Sequence, residues 1–223
     1  MNPVNYSAAR STESVLATNK LIKNTYMLLS LTLLFSALTA GMSMVFNLPH
    51  PGMIITLVGY FGLLWATNKF ANSGWGLLFV FLLTGFMGLT LGPIISAYIQ
   101  AFSNGGELVM MAMGGTGVIF LGLSGYALTS RKDFSFMGGF LMVGILVAFL
   151  AGIGAAIFSI PALSLAVSAM FVLLMSGLIL YQTSQIVHGY ETNYILATVT
   201  LYVSIYNLFL SLLHLLGVFS GED

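Results

Sequence analysis

The side chains that could carry out chemistry are few in this sequence and lie far apart. Six Asp and Glu residues occur among 223, and none lies in the middle of a long apolar run. Catalysis by paired carboxylates needs two acids on facing elements, which this distribution does not offer. His50, His188 and His214 fall on separate segments without the spacing of a zinc site, and the absence of Cys excludes thiol chemistry. The sequence therefore predicts no catalytic residue, no metal site and no cofactor, and so a protein that is not an enzyme.

A serine nucleophile activated by histidine is the one remaining catalytic arrangement. Ser124 or Ser176 would have to pair with His214, and neither serine lies in a G-x-S-x-G turn. We therefore expect His214 to be a buried, hydrogen-bonded residue rather than a general base.

The last apolar run carries a stripe of polar residues. Five polar positions recur at steps of four, three, four and three, which places them on one face of a helix: Thr200, Ser204, Asn207, Ser211 and His214. A polar stripe cannot face lipid, so this helix should lie at the centre of a bundle. The stripe could supply hydrogen bonds between helices, worth about 1 kcal/mol each, or it could line a polar path.

The composition is that of an integral membrane protein. The chain is 58% hydrophobic and 5% charged, whereas soluble domains carry about 25% charged residues. The zero net charge argues against a nucleic-acid partner. Spans of about 20 apolar residues must be helical, which predicts an all-α bundle of seven transmembrane helices over residues 25–223. The predicted spans are Tyr26–Phe46, Met53–Ala66, Leu77–Tyr98, Leu108–Thr129, Phe136–Phe158, Leu163–Val187 and Tyr194–Phe219. The second is short and should borrow flanking residues to cross, and the last could instead be a re-entrant or deeply buried helix.

Basic residues predict the orientation of the bundle. All six flank the spans on one side: Arg10, Lys20, Lys23, Lys69, Arg131 and Lys132. Such residues are retained on the cytoplasmic side, so the amino terminus should be cytoplasmic. Residues 1–24 are rich in Ser, Thr, Asn and Ala without a strong apolar period, which predicts a mobile cytoplasmic tail. Candidate handle residues for a protease in this tail are Asn2, Ser7, Arg10 and Lys20.

Small residues predict close helix packing. Gly88 and Gly92 form a GxxxG unit, and Pro93 should kink the same helix. The fourth run is also crowded with glycine, for which packing is the simplest explanation: Gly114, Gly115, Gly117, Gly122 and Gly125. Among the acids, Asp133 is placed to cap the fifth helix, and Glu107 suits the dipole at the start of the fourth.

Several short segments, in order and spacing, resemble the Bax inhibitor-1 family over nearly the whole chain. They are Lys23–Tyr26, Leu91–Ile94, Lys132–Phe136 and motifs within Tyr181–Phe209. The resemblance implies a seven-helix bundle with the last helix enclosed by the others, in agreement with the polar stripe. It is closest to a proteobacterial branch that modulates the membrane protease FtsH, which implies a bacterial inner-membrane protein.

Some members of this family form a pH-sensitive calcium leak. The resemblance implies that their two gate aspartates correspond here to Gln182 and Ser204, and their basic gate residue to Lys69. Gln and Ser cannot share a proton as two carboxylates do, although they could hydrogen-bond across the last two helices. The pH gating implied by the family is therefore not expected here.

Two functions follow as hypotheses. In the first, the protein binds FtsH and modulates it as a slowly degraded substrate, gripped by its tail. The alternative is a leak channel for calcium or another cation. Residues of its polar path would come from a short set: Gln182, Ser204, Lys69, Asn207 and His214.

Overall fold

A computed structural model describes the backbone of residues 3–221 and the side chains of residues 16–221. This part of the chain forms seven α-helices and one short 3-10 helix, and it contains no strand. The α-helices are α1 (Pro3–Val45), α2 (Met53–Phe70), α3 (Trp75–Ala101), α4 (Gly105–Ser130), α5 (Gly138–Ile157), α6 (Pro161–Val187) and α7 (Tyr194–Ser220). The 3-10 helix covers Ser135–Met137 and leads into α5.

All seven helices contain a segment long and apolar enough to cross a membrane. The segment of α2 is the shortest at 18 residues, and it extends from Met53 to Phe70. At 1.5 Å per residue this helix is about 27 Å long, close to the thickness of the hydrocarbon layer. The predicted all-α membrane bundle is thus confirmed, and the second span does borrow residues beyond Ala66.

Helix α1 begins well before the first predicted span. Its backbone is helical from Pro3, and its membrane-crossing segment starts at Leu16. Leu21 and Ile22 already pack against the core of the bundle, and Thr25 is fully buried. The packed part of the chain therefore starts before residue 25, while mobility of the tail stays a prediction.

The two ends of the bundle differ in charge. Five basic residues of the described part lie at the end where α1 enters: Lys20, Lys23, Lys69, Arg131 and Lys132. We name this the basic end and the other, where no described Lys or Arg lies, the opposite end. The loops at the basic end are joined by Asn193, whose Nδ2 donates to the Ala71 carbonyl at 3.1 Å and to Asn72 Oδ1 at 2.8 Å. At the opposite end, Asn104 Nδ2 donates to Ser220 Oγ at 2.8 Å.

Helix α7 occupies the centre, as predicted. It packs on α1, α3, α4 and α6, and it is the most buried of the seven spans. Leu201, Leu208 and Leu213 are completely buried. The polar stripe contains no exposed residue, because its five members are buried or half-buried. The stripe therefore does not form part of the exposed, lipid-facing surface of the bundle, although Thr200, Asn207 and His214 are only half-buried.

The GxxxG unit of α3 packs directly on α1. A Cβ atom on Gly88 would overlap Thr39 Oγ1 and the carbonyl oxygen of Ser36. A Cβ on Gly92 would lie 2.6 Å from Ser43 Cβ. Only residues without a side chain permit this approach of two backbones, so the predicted packing role is confirmed for both glycines.

The glycines of α4 behave differently from the prediction. A Cβ atom added at Gly115 would lie 3.5 Å from the side chain of Leu212 in α7, which is an ordinary van der Waals distance. Four others have open space where a Cβ would be: Gly114, Gly117, Gly122 and Gly125. Their spacing suits helix packing, but no described residue of another helix lies within 4 Å of these Cβ positions.

Candidate functional site

Two residues of the polar stripe bond to their own helix rather than to a neighbour. Ser204 Oγ donates to the Thr200 carbonyl at 2.7 Å, and Asn207 Nδ2 donates to the Val203 carbonyl at 2.9 Å. Such back-bonding satisfies a hydroxyl or amide without holding two helices together. The interpretation of the whole stripe as hydrogen-bond glue is therefore wrong for these two positions.

The interhelical hydrogen bonds of α7 come from Tyr202, Tyr206 and Thr198, and within the stripe from His214. Tyr202 OH lies 2.7 Å from Ser36 Oγ of α1 and donates to the Thr84 carbonyl of α3 at 3.3 Å. Tyr206 OH lies 3.3 Å from Thr90 Oγ1 of α3. The sequence offered a signal for this arrangement, because Tyr202 and Tyr206 are four residues apart and so share a helix face.

His214 pairs with a serine that the sequence did not single out. Its Nδ1 lies 2.7 Å from Ser168 Oγ of α6, beside a cavity of about 490 Å³ near the opposite end. Ser124 Oγ instead lies 3.4 Å from Thr183 Oγ1, and Ser176 Oγ donates to the Val172 carbonyl. His214 is thus half-buried and hydrogen-bonded as expected, but with a different partner from the two serines considered.

Gln182 and Ser204, the counterparts of the gate aspartates, are 6% and 0% exposed. Gln182 Nε2 has no hydrogen-bond partner among the described residues, and the Ser204 hydroxyl is occupied by its own helix. The two side chains therefore do not bond across α6 and α7. Because both are neutral, this buried position cannot hold a shared proton.

Lys69 lies at the surface of the basic end. The residue is exposed, and its Nζ lies 4.7 Å from the ring centroid of Trp65, which is 62% exposed. A basic residue stacked on tryptophan at the end of a span is typical of the membrane interface. The structure therefore does not bring Lys69 together with the interior path residues.

Asn207 lines a second cavity of about 560 Å³ between α2, α3, α5, α6 and α7. The cavity also contacts Tyr60, Thr90 and Tyr206, whereas most of its wall is apolar. Of the five predicted path residues, His214 and Asn207 thus face different cavities. The structure does not join them into one continuous polar path.

A hydrogen-bonded cluster holds the α4–α5 loop against the end of α6 at the basic end. Ser184 Oγ accepts from Phe134 N at 3.0 Å and donates to the Lys132 carbonyl at 3.2 Å. His188 Nε2 lies 3.1 Å from the Arg131 carbonyl, and Tyr190 OH donates to Asp133 Oδ2 at 3.2 Å. Two of the segments that carry the family resemblance, Lys132–Phe136 and the first part of Tyr181–Phe209, therefore meet in one place.

Asp133 caps a different turn from the predicted one. Its Oδ1 accepts from Ser135 N at 2.8 Å and from the Ser135 hydroxyl, whereas α5 itself begins at Gly138. The extra 3-10 turn separates the two, so the carboxylate closes an Asx turn.

Hydrogen bonds from Ser135 hold the pKa of the Asp133 carboxyl below its usual value. The same carboxylate raises the pKa of the Tyr190 hydroxyl through its negative charge. Glu107 lies in the first turn of α4, as predicted.

The tail residues proposed as a handle are only partly covered by the structure. Asn2 lies outside the described residues, and Ser7 and Arg10 belong to the part of α1 whose side chains are not described. Lys20 is exposed at the basic end, one residue before the first contact with the core.

Comparison with known proteins gives a match over nearly the whole chain. A family model described as "Inhibitor of apoptosis-promoting Bax1" matches residues 18–221. The chain is 51% identical to "Modulator of FtsH protease YccA" of Escherichia coli, with 97% of this chain and 98% of the relative covered. A relative from another strain of that species, at the same identity and coverage, is named "Inner membrane protein YccA". An uncharacterised membrane protein of Vibrio cholerae is 42% identical over the full length of both chains.

Proposed function

The chain belongs to the Bax inhibitor-1 family, and on this premise we propose that it binds and modulates an FtsH-type ATP-dependent membrane protease. The observation that carries the proposal is the 51% identity, over 97% of the chain, to a relative named as a modulator of that protease. In the structure, the two buried positions that correspond to the gate aspartates hold the neutral residues Gln182 and Ser204, so no titratable gate is present there. Conduction of calcium or another cation is therefore not part of the proposal.

The proposed location is the bacterial inner membrane, with the basic end in the cytoplasm. Basic residues near the ends of spans are retained on that side, and the described ones all lie at the basic end. Trp65 and Trp75, 62% and 63% exposed, lie at the same end and suit a membrane interface. This orientation presents the amino terminus to a protease whose ATPase works in the cytoplasm.

The proposed mechanism is occupation of the protease by a slowly degraded substrate. An ATP-driven protease that grips the amino-terminal tail would first pull on α1. Leu21 and Ile22 pack on the core, which supports a handle that ends before residue 21. Beyond this point, Gly88 and Gly92 hold α1 tightly against α3, and Tyr202 bonds it to α7. Extraction of the first helix therefore has to break the closest packing in the bundle.

Competition for the protease tests the modulator role. The chain is overproduced in cells, and the half-life of a second, established membrane substrate of FtsH is followed after synthesis is stopped. We expect that half-life to lengthen, because occupied protease cannot degrade the second substrate. An unchanged half-life, with this chain present in excess of the protease, would refute the proposal.

Deletion of residues 2–11 tests the handle. We expect turnover of the chain by the protease to slow several-fold, while a variant with those residues replaced by Gly and Ser keeps its turnover because it keeps its length. Thermal unfolding in detergent serves as the control, since both variants should match the unaltered protein. Equal turnover of the deleted and unaltered chains would show that the protease grips another segment.

A further inference from the structure

Helices α2 and α5 leave a gap between them. Among the described residues, α2 packs extensively only on α3, and α5 only on α6 and the 3-10 helix. The gap is bridged by Phe61 of α2 and Phe149 of α5, whose rings meet edge to face at 5.7 Å between centroids. An aromatic pair of this kind holds two helices at a distance without closing the space beside it.

The 560 Å³ cavity lies behind this gap. Its walls are mainly aliphatic and aromatic side chains, among them Leu57, Ile145, Met175, Leu178 and Val203. Its floor is α7, where Val203 and Asn207 face the cavity from the centre of the bundle. Of the polar residues on its wall, Thr90, Tyr206 and Asn207 already hydrogen-bond within the protein, which leaves few groups for an ordered water that needs two to four partners. The chemistry of the wall favours an apolar occupant.

The mouth of the cavity faces the hydrocarbon layer. Phe61, Met142 and Leu146 belong to its lining and are also 46%, 77% and 57% exposed. All three lie inside membrane-crossing segments rather than in loops. The apolar surface of the cavity is therefore continuous with the lipid-facing surface of α2 and α5.

We propose that this cavity binds one acyl chain of a membrane lipid, which enters between α2 and α5 and reaches α7. The volume excludes a helical segment of another protein, since two turns of helix, about 10 Å wide and 11 Å long, occupy about 850 Å³. An acyl chain is narrow, flexible and present at high concentration at the mouth. It brings no polar group of its own that would need a hydrogen-bonding partner inside the cavity.

Photo-crosslinking in vesicles tests the proposal. The purified protein is reconstituted into phosphatidylethanolamine and phosphatidylglycerol that contain a phosphatidylethanolamine with a diazirine at the end of one acyl chain. After illumination, labelled positions are mapped by mass spectrometry of peptides. We expect label at Val203 and Asn207 of α7, which a chain outside the bundle cannot touch, and at Met175 of α6.

Two variants of α5 provide a matched pair. Ile145→Trp fills the cavity, whereas Val143→Trp adds the same ring at a position that is 62% exposed and outside the lining. We expect Ile145→Trp to reduce the label on α7 several-fold and Val143→Trp to leave it unchanged. Label confined to exposed positions of the unaltered protein would overturn the proposal, whatever the variants do. An equal loss in both variants, with thermal unfolding like that of the unaltered protein, would also overturn it.

Discussion

Replacement of Gly88 by alanine should weaken the bundle more than any other change that adds one methyl group on α3. The new Cβ would overlap the Ser36 carbonyl, which is backbone, so α1 must move away from α3. Overpacking of this kind costs about 1–3 kcal/mol, and a backbone obstacle places the cost near the upper end. Alanine gains about 1 kcal/mol over glycine inside a helix. The expected net loss is therefore about 2 kcal/mol in the free energy of unfolding.

Gly114→Ala is the matched control for this prediction. It makes the same chemical change in the middle of α4, where a Cβ meets nothing within 4 Å. Only the helix-propensity gain remains, so the variant should be as stable as the unaltered protein or up to about 1 kcal/mol more stable. The two variants should then differ by about 3 kcal/mol, a difference well outside the error of an unfolding titration.

Reversible unfolding in mixed micelles, by titration with sodium dodecyl sulfate, measures the difference. Trp65 and Trp75, both at the basic end, report the transition by fluorescence. In cells, Gly88→Ala should also be degraded faster by the protease, because loosened packing of α1 lowers the barrier to extraction. Equal unfolding free energies of Gly88→Ala and Gly114→Ala would refute the close contact between α1 and α3 at Gly88.

Two further predictions concern single hydrogen-bonded groups. Tyr202→Phe leaves the buried Ser36 hydroxyl without its 2.7 Å partner. The free energy of unfolding, measured by the same titration, should fall by about 1–3 kcal/mol. An unchanged free energy would show that this hydrogen bond does not contribute to stability. The folded-state pKa of Asp133 is lowered by Ser135, so its ionised form stabilises the loop. That contribution is present above the unfolded pKa near 4 and is lost as the pH falls through the lower folded value. Thermal unfolding followed from pH 6 downwards should therefore show a smaller acid-induced loss of stability in Asp133→Asn, and identical profiles would contradict the assignment.

The spacing of polar residues predicted the place of α7 correctly but not the bonds it makes. Exclusion from lipid is a property of the whole helix face, so five residues on one face are enough to place the helix at the centre. Hydrogen bonds depend on side-chain reach. Ser204 is short and finds the carbonyl four residues back, whereas the long side chain of Tyr202 reaches α1 and α3. A periodicity argument that treats all polar residues alike cannot make that distinction.

Glycine spacing was likewise ambiguous. Gly88 and Gly92 of α3, four residues apart, lie against α1, while Gly114 and Gly122 of α4, eight residues apart, lie against open space. Spacing shows that a helix has a flat face, and it does not show whether another helix of the same chain covers it. The start of the packed part of α1 was not predicted, for a related reason. Because polar residues surround Leu21 and Ile22 ahead of the apolar run, the residue pattern did not indicate that these two side chains contact the core.

The interface proposed to resist extraction and the proposed acyl-chain cavity lie in different parts of the bundle. Helix α1, the first that a protease pulling on the amino terminus would meet, is fixed by backbone contact with α3 and by Tyr202 of α7. The α2–α5 gap lies away from α1, and α2 packs extensively only on α3. Lipid in the gap would therefore add stability to helices that the protease reaches only after α1 has been removed. In the proposed mechanism, the α1–α3 interface therefore sets the rate of degradation, because the protease meets it before it reaches the helices around the cavity.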